Sequence, residues 1–339
     1  MKFVCFGEIM ARISPVGYKR VVQSTEFEIT YGGGEANVAV SLANYGKEAA
    51  YVTKLPKNDI AESALRTLRA HGIDVSNVAF GGERVGTYYC EKGASQRASK
   101  VTYDRKYSSI SMAEKADFDW KKIFDGACWF HFTGITPALS DNCAEITLEA
   151  CKTAKEMGLK VSCDLNFRKK LWTSEKAGKV MGELMPYIDV LIANEEDSEM
   201  VFGIKADNTD ITSGELSNEG YKQVAKTLSD RFNIPAVAIT LRSSISASQN
   251  KWAAMLYKDG EYYFSKSYMI QIVDRVGGGD SFGGGLIYAL SEGYSAQDAI
   301  EFAVAASCLK HTVEGDYNEV SVDEVKALMG GDGSGRVQR

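Results

Sequence analysis

Long apolar runs and blocks of basic residues are missing from this sequence of 339 residues. No run approaches the length of a membrane span, and Glu8 interrupts the short apolar run near the N-terminus, so neither a transmembrane helix nor a signal peptide is predicted. The formal net charge is −6, and no basic block is long enough to indicate a nucleic-acid surface. We therefore expect a protein that binds neither a membrane nor a nucleic acid.

Paired metal ligands and two common nucleotide-binding motifs are also missing. The histidines His71, His131 and His311 are isolated, which argues against a His-based metal site or a Ser-His-Asp triad. The seven cysteines are scattered without Cys-x-x-Cys spacing, which predicts reduced thiols and a cytoplasmic protein. Neither Gly-x-x-x-x-Gly-Lys-Ser/Thr nor Gly-x-Gly-x-x-Gly occurs, so a P-loop enzyme and a dinucleotide dehydrogenase are disfavoured.

The chain does contain a pattern of alternating strands and helices. From about residue 127 onward this pattern predicts an α/β fold with a doubly wound, mostly parallel sheet and helices on both faces. Two β-rich patches, near residues 11–30 and 80–105, predict an additional small β-sheet. We expect one domain over residues 1–329, followed by a glycine-rich tail over 330–339 that is disordered.

A glycine-rich loop within residues 273–286 is predicted to open a helix. Successive glycines and a helix start bring several unpaired N–H groups to one point, so Gly277–Gly279 suit a bound phosphate. Asp280 follows them and is placed to accept a proton from an attacking hydroxyl. A simple N-cap role for Asp280 is the alternative. It leaves the glycines unexplained, and Gly283–Gly285 inside the helix predict close packing or close approach of a ligand.

A second glycine-rich segment precedes a predicted helix nearer the N-terminus. Apolar residues recur at helical spacing from Ala36 to Ala43, directly after Gly33 and Gly34. Asn37 belongs to a polar stripe on this helix. The spacing alone fits a capped surface helix as well as a ligand-binding one.

Several polar side chains follow predicted strands. Arg105 and Arg168 are flanked by aromatic or apolar residues, which suits bidentate binding of a carboxylate, although surface arginines are the commoner case. Ligands of doubly wound folds bind at the carboxyl ends of the strands. Arg168, Asn194, Arg242 and Asp280 are therefore predicted to share one site.

The segment Asp274–Asp280 resembles the second signature of the ribokinase-like (PfkB-type) sugar kinases, usually Asp-Thr-x-Gly-Ala-Gly-Asp. Arg275 stands here in place of Thr, and Gly278 in place of Ala. The resemblance implies a ribokinase-like fold in which the small sheet is a lid over the sugar. It also implies that Gly277, Gly278 and Gly279 form an anion hole for the transferred phosphoryl group and that Asp280 is the catalytic base.

Other segments are similar to this family as well. The segment from Tyr31 onward resembles the first signature, which implies that Gly33, Gly34 and Asn37 contact sugar hydroxyls. The two arginine segments are similar to the 2-keto-3-deoxygluconate kinase branch, where a Tyr-x-Arg of the lid and an Asn-x-Arg after a strand clasp the acid sugar. The matching residues here are Tyr103, Arg105 and Arg168.

The expected reaction is thus ATP-dependent phosphorylation of the terminal hydroxyl of a sugar acid, first of all 2-keto-3-deoxygluconate. A kinase for a neutral ketose such as fructose and a non-catalytic sugar- or nucleotide-sensing protein are the alternatives. The resemblance also implies a homodimer or higher homo-oligomer formed through the lid.

ATP and Mg²⁺ are the cofactors that the resemblance implies, while the need for a monovalent cation stays open. Family members carry Asn-x-x-Glu near the hydrated magnesium. Asn194 matches the first position, Asp197 stands where Glu is usual, and Glu196 is adjacent, so the supporting carboxylate is left undecided. Further candidates for nucleotide binding are Thr240, Arg242 and Arg275.

Overall fold

The computed structural model of the chain describes residues 1–205 and 218–333. The strands are β1 (Lys2–Phe6), β2 (Met10–Pro15), β3 (Phe27–Gly32), β4 (Glu48–Val52), β5 (Lys54–Leu55), β6 (Ala79–Phe80), β7 (Gly86–Glu91), β8 (Lys100–Asp104), β9 (Ala127–Thr133), β10 (Lys160–Asp164), β11 (Val190–Ala193), β12 (Ala236–Ser244), β13 (Gln249–Lys258), β14 (Glu261–Phe264) and β15 (Tyr268–Gln271). The α-helices are α1 (Gly34–Asn44), α2 (Asp59–Ala70), α3 (Trp120–Ile123), α4 (Ile135–Ala138), α5 (Asp141–Glu156), α6 (Ser174–Leu184), α7 (Glu195–Phe202), α8 (Asn218–Phe232), α9 (Gly278–Ser291), α10 (Ala296–Lys310) and α11 (Val322–Met329).

The described residues build a nine-stranded sheet in the order β14-β13-β12-β11-β10-β9-β1-β4, with β15 beside β13. The neighbours from β4 to β12 pair in parallel, and β13 joins β12 antiparallel. Successive side chains of β1 point to opposite faces, so Phe3 and Cys5 belong to one apolar cluster and Val4 and Phe6 to the other. Helices α1, α9 and α10 cover the first face, and α5, α6 and α8 cover the second. The predicted doubly wound, mostly parallel sheet is confirmed.

A separate small sheet has the order β3-β2-β7-β8. Its two hairpin pairs are antiparallel, and β2 and β7 are parallel. One apolar cluster joins Met10, Tyr88 and Cys90 of this sheet to Val276 of the glycine-rich loop. The predicted small sheet is therefore confirmed, and it contacts the segment that the sequence singled out.

One predicted boundary is wrong. Arg242 was expected to follow a strand, but β12 continues to Ser244 because it pairs with β13 as far as Ser244 opposite Asn250. Antiparallel pairing holds these polar residues in the strand after its apolar run has ended. Arg242 therefore lies inside the sheet opposite Trp252.

Two further expectations concern the C-terminal tail and membrane-spanning helices. Much of the tail that was expected to be disordered, residues 334–339, lies outside the described residues. Within the part of the chain that the structure describes, every helix is too short or too polar to span a bilayer.

Candidate active site

A cleft of about 400 Å³ opens where the carboxyl ends of the parallel strands meet the small sheet. Every candidate site residue from the sequence lines this cleft except Gly278. These lining candidates are Gly33, Gly34, Asn37, Tyr103, Arg105, Arg168, Asn194, Asp197, Thr240, Arg242, Arg275, Gly277, Gly279 and Asp280. Arg168, Asn194 and Asp280, which are far apart in the sequence, thus line one cleft, as does Arg242.

Asp280 lies in the first turn of α9, whose N-cap is Gly277. The alternative that Asp280 is itself the N-cap is therefore wrong. The amide of Asn37 donates a hydrogen bond to Oδ2 of Asp280 across 2.7 Å. Burial raises the pKa of Asp280 to about 6, while the Asn37 hydrogen bond opposes the rise. A carboxylate with this pKa is ionised at neutral pH and basic enough to take a proton.

The glycine-rich loop is shaped by close contacts behind it. Gly277 has a φ of 81°, and a Cβ there would collide with the carbonyl oxygen of Asp316. A Cβ at Gly278 would collide with the ring of His311, so Gly278 faces the protein and not the cleft. At Gly279 a Cβ would meet no atom within 4 Å, which leaves this position open to the cleft. Because the first N–H groups of a helix lack intrahelical partners, this corner fits an anion.

The glycines inside α9 allow neighbouring helices to approach. A Cβ on Gly284 would lie 2.6 Å from Cβ of Ser41 in α1, and one on Gly285 would lie 3.1 Å from Cα of Ala303 in α10. A Cβ on Gly283 would lie 3.3 Å from Cδ1 of Ile192. The close packing predicted for these three glycines is confirmed.

An acidic group beside Arg168 was missed by the sequence analysis. Asp164 ends β10 and lines the cleft, where burial raises the pKa of its carboxyl well above the ordinary value; the charges of Asp197 and Asp280 add to the rise and Arg168 opposes it. Asp164 could have been found as a polar residue at the end of an apolar strand.

Asp197 and Asn194 are both held in local hydrogen bonds. Oδ1 of Asn194 accepts the N–H of Asp197 at 2.7 Å and so caps α7. Oδ1 of Asp197 accepts the N–H of Phe167 at 3.1 Å, which fixes the loop that carries Arg168. Asn194 and Asp197 thus belong to the start of a helix as well as to the lining of the cleft.

Arg105 is held by a residue that the sequence analysis did not select. Its Nε donates to Oε2 of Glu8 at 2.7 Å, and its Nη2 also pairs with that oxygen. The Glu8 side chain is 2% exposed and that of Arg105 is 9% exposed, so the pair is buried. The guanidinium lies 5.4 Å from the ring centroid of Tyr103. Glu8 interrupts an apolar N-terminal segment, and that interruption was the available signal.

The other side of the cleft carries arginines and aromatic rings. Nη2 of Arg275 donates to the carbonyl oxygen of Ala247 at 3.0 Å, whereas its buried Nε has no partner within the described residues. Burial lowers the pKa of Arg275, and the nearby charge of Arg242 lowers it further. The ring of Trp252 lies against that of His311, with centroids 5.1 Å apart and planes tilted by 57°. Trp252 and His311 were not selected as site residues, because one lies in a hairpin and the other at a helix end.

Arg12 joins the small sheet to the glycine-rich loop. Its Nη2 donates to Oδ2 of Asp274 at 2.6 Å and its Nη1 to Oδ1 of Asp316 at 2.7 Å. The hydroxyl of Tyr88 also donates to Asp316. These buried pairs fix the loops on which Gly277 and Asp280 depend, and the sequence analysis did not foresee them.

Comparison with known proteins gives a consistent result. Residues 1–323 match the sequence model of a family described as pfkB family carbohydrate kinase. A 2-dehydro-3-deoxygalactonokinase of Haloferax volcanii is 32% identical over 332 residues, which cover 98% of each chain. A 2-dehydro-3-deoxygluconokinase of Bacillus subtilis is 26% identical over 325 residues, which cover 95% of this chain and 93% of the relative.

A solved structure agrees with these relatives. The crystal structure of 2-dehydro-3-deoxygluconokinase from Thermotoga maritima superposes with a TM-score of 0.94 and is 51% identical in sequence. The match covers 98% of both chains. The likeness therefore includes the large sheet, the small sheet and the cleft between them.

Proposed function

This chain belongs to the pfkB family of carbohydrate kinases, and we propose that it uses ATP to phosphorylate the terminal hydroxyl of 2-keto-3-deoxygluconate. The observation that carries the proposal is the presence of Arg168 and Asp280 in one cleft, beside the same buried Asp164. A guanidinium suits the carboxylate of the sugar acid. A carboxylate with a raised pKa suits the hydroxyl that must lose its proton.

Asp280 takes the proton of the attacking hydroxyl in this proposal. The hydrogen bond from Asn37 orients the Asp280 carboxylate, so that one oxygen is held and the other is left for substrate. The N–H groups of Gly277–Gly279 receive the charge that develops on the transferred phosphoryl group. Gly33 and Gly34, at the start of α1, contact sugar hydroxyls beside Asn37.

The residues on the opposite side of the cleft fit the phosphates of ATP. Arg275 lines the cleft with a buried Nε that has no partner among the described residues, and Arg242 adds a second positive charge. Thr240 lies on the same strand as Arg242. We assign these three residues to the nucleotide.

Magnesium fits the acidic corner beside the phosphates. Mg²⁺ keeps several waters and needs only one or two carboxylates besides phosphate oxygens. Among the described residues no group of three or more His, Cys, Asp or Glu side chains is placed to hold a metal ion alone. Asn194, Asp197, Glu196 and Asp164 are the side chains that would support the hydrated ion, which neutralises phosphate charge when bound.

The carboxylate of the sugar acid is assigned to Arg168, with Arg105 and Tyr103 beside it. The Glu8 pair restrains Arg105, and that pair also favours a second candidate. If Glu8 neutralises Arg105, Arg168 is the one member of the proposed arginine pair left for the sugar carboxylate, and a neutral ketose such as fructose becomes an acceptable substrate.

The experiment is coupled ADP release with ATP and Mg²⁺ over a panel of 2-keto-3-deoxygluconate, its galacto epimer, fructose, ribose and gluconate. Turnover confined to the keto-deoxy acids supports the proposal. Turnover of fructose or ribose alone supports the second candidate, a neutral-sugar kinase. Ligand binding without ADP release from any sugar indicates a sensing protein.

We extend the proposal to the whole molecule in three respects. Residues 1–329 act as one kinase domain with the small sheet as its lid. Phe27 and Ile29 of β3 are exposed on that sheet and suit a contact with a second copy of the chain. Light scattering of the purified protein and of an Ile29→Glu variant tests the contact between the two copies, because a monomeric parent protein would contradict it.

The protein acts in the cytoplasm, where its cysteines stay reduced.

A further inference from the structure

A lysine that the proposed reaction leaves unused is fully enclosed behind the glycine-rich loop. Lys310 is the last residue of α10 and is 0% exposed. Its Nζ donates to three backbone carbonyl oxygens, at 2.7 Å to Gly315, 3.2 Å to Val313 and 3.5 Å to Asp274. Buried lysines are rare unless they are paired, so this arrangement calls for an explanation.

The partners of Lys310 are matched to a charged ammonium group. An ammonium has three N–H donors and no acceptor, and three carbonyl oxygens take all three. Within residues 1–205 and 218–333 no carboxylate lies within ion-pair distance of Nζ, so dipoles and not a counter-ion surround the charge. Asp274 and Asp316, the two acids whose charges act most strongly on Lys310, are both bound by Arg12.

The location of Lys310 connects it to the phosphoryl-transfer loop. Its three carbonyls come from two segments, residue 274 before the glycines and residues 313–315 after α10. A Cβ on Gly277 would lie 3.2 Å from Cε of Lys310, so the lysine stem packs against the N-cap of α9. The charge of Lys310 also acts at Asp280, where it favours the ionised carboxylate.

We propose that Lys310 is a positioning residue whose ammonium takes the place that a monovalent cation would occupy beneath the anion hole. Backbone carbonyl oxygens are the groups that replace the hydration shell of K⁺. An ammonium held by three of them fixes two loops and supplies one positive charge in the same way. The inference rests on the kinase function, and its consequence is a reaction that needs no added K⁺.

The simpler alternative is that Lys310 only fills space and supports the fold. Restoration of activity by added cations separates this role from the proposed one. Lys310→Ala removes the ammonium and leaves space lined by the three carbonyls. Lys310→Met keeps the stem in that space and removes only the charge. If Lys310 only fills space, neither K⁺ nor ammonium ion restores activity to Lys310→Ala. If its ammonium occupies a cation site, both ions restore activity to that variant.

The test measures kcat and KM in tetramethylammonium, K⁺ and NH₄⁺ chloride at equal ionic strength. We expect wild-type rates to agree within about twofold across the salts, and Lys310→Ala to lose about 100-fold in kcat in tetramethylammonium with a small change in KM. K⁺ or NH₄⁺ should restore at least about tenfold of that loss in Lys310→Ala and none in Lys310→Met. Lys152→Ala, an exposed lysine of α5, is the matched control and should behave as wild type in every salt.

Three results would overturn the inference: stimulation of the wild type by K⁺, equal rates of Lys310→Ala in all salts, or rescue of Lys310→Met. Thermal unfolding gives a readout that needs no substrate, because K⁺ should raise the Tm of Lys310→Ala above its value in tetramethylammonium and leave wild type unchanged. Failure of the substrate panel would thus leave this test intact. If Lys310→Ala does not fold, the wild-type salt series and Lys310→Met still decide.

Discussion

The two ends of the cleft are held by different parts of the molecule. Asp280 lies in the first turn of α9, and that helix is packed between α1 and α10 within the core of the large sheet. Arg105 directly follows β8 of the small sheet, and Arg168 lies on an exposed stretch after β10. The end that transfers the phosphoryl group is thus part of the core. The end that selects the substrate, called the rim end below, joins the exposed Arg168 to Arg105, which is buried against Glu8. Substrate choice can therefore change while the reaction stays the same.

The strongest way to test this division is to remove the base at the core end. Asp280→Asn keeps the shape and should lower kcat by about 10³-fold or more, because the amide does not take the proton of the hydroxyl. Burial disfavours the charge of Asp280, as its raised pKa shows, so the amide should leave the Tm unchanged or higher. Steady-state rates, ATP binding and thermal unfolding check this. A variant with more than a tenth of the parent activity would refute the assignment of the base.

A change at the rim end should alter the KM for the sugar acid and not kcat. Arg168→Ala should raise the KM for the sugar acid about 10- to 100-fold with little change in kcat, because one charged hydrogen-bonding partner of the carboxylate is lost. Lys179→Ala in α6 is the control, since it removes a positive charge at an exposed residue that lines neither this cleft nor the adjoining one to which Arg168 also belongs. An unchanged KM in Arg168→Ala, or an equal rise in both variants, would contradict the clasp. Arg105→Ala is less clean because it leaves the buried carboxylate of Glu8 without its partner.

The pH dependence tests the core end without a mutation. The active form of Asp280 is ionised, and its pKa is raised to about 6, so kcat/KM should fall about tenfold per pH unit below that value. His311 also lines the cleft, but burial lowers its pKa to about 4, so it stays neutral over most of this range. A profile that stays level down to pH 5 would show that Asp280 does not act as the base.

The smallest expected effect concerns the packing that supports the core end. Gly284→Ala should destabilise the fold by about 1–3 kcal/mol, because its Cβ would lie 2.6 Å from Cβ of Ser41. The Tm should fall by a few degrees and kcat by a few-fold. Gly182→Ala in α6 is the matched control, since no atom lies within 4 Å of its Cβ and alanine favours a helix. If both variants have an equal Tm, α9 is not held by this close contact.

The core end could be predicted from the sequence because its residues are unusual for their local structure. Three glycines inside a helix are costly, so their presence indicates close packing, and Gly277–Asp280 form a contiguous motif. Arg168, which belongs to the rim end, and Asn194 were predicted for another reason: both follow apolar strands, and parallel strands bring such positions to one edge of the sheet. These patterns are local and can be recognised in the sequence without knowledge of the tertiary fold.

The partners that orient the site could not be predicted in this way. Glu8 and Arg105 are 97 residues apart, and Arg12 is 304 residues from Asp316, so no local pattern connects them. Lys310 looks like an ordinary basic residue at the end of a helix, where cations are common. Its burial depends on the loop that follows α10, which has no periodic pattern. Arg242 was misplaced for a similar reason, because antiparallel pairing with β13 extends β12 beyond its apolar residues.

The position of the phosphoryl group in the product tests the two-ended cleft most directly. With the carboxylate held at the Arg168 end, only the terminal hydroxyl of 2-keto-3-deoxygluconate reaches Asp280. Proton-coupled phosphorus NMR of the product should therefore show one phosphate ester split by the two protons of a terminal CH₂ group. A phosphate split by a single CH proton would place the ester on a secondary hydroxyl and contradict the assignment of the two ends.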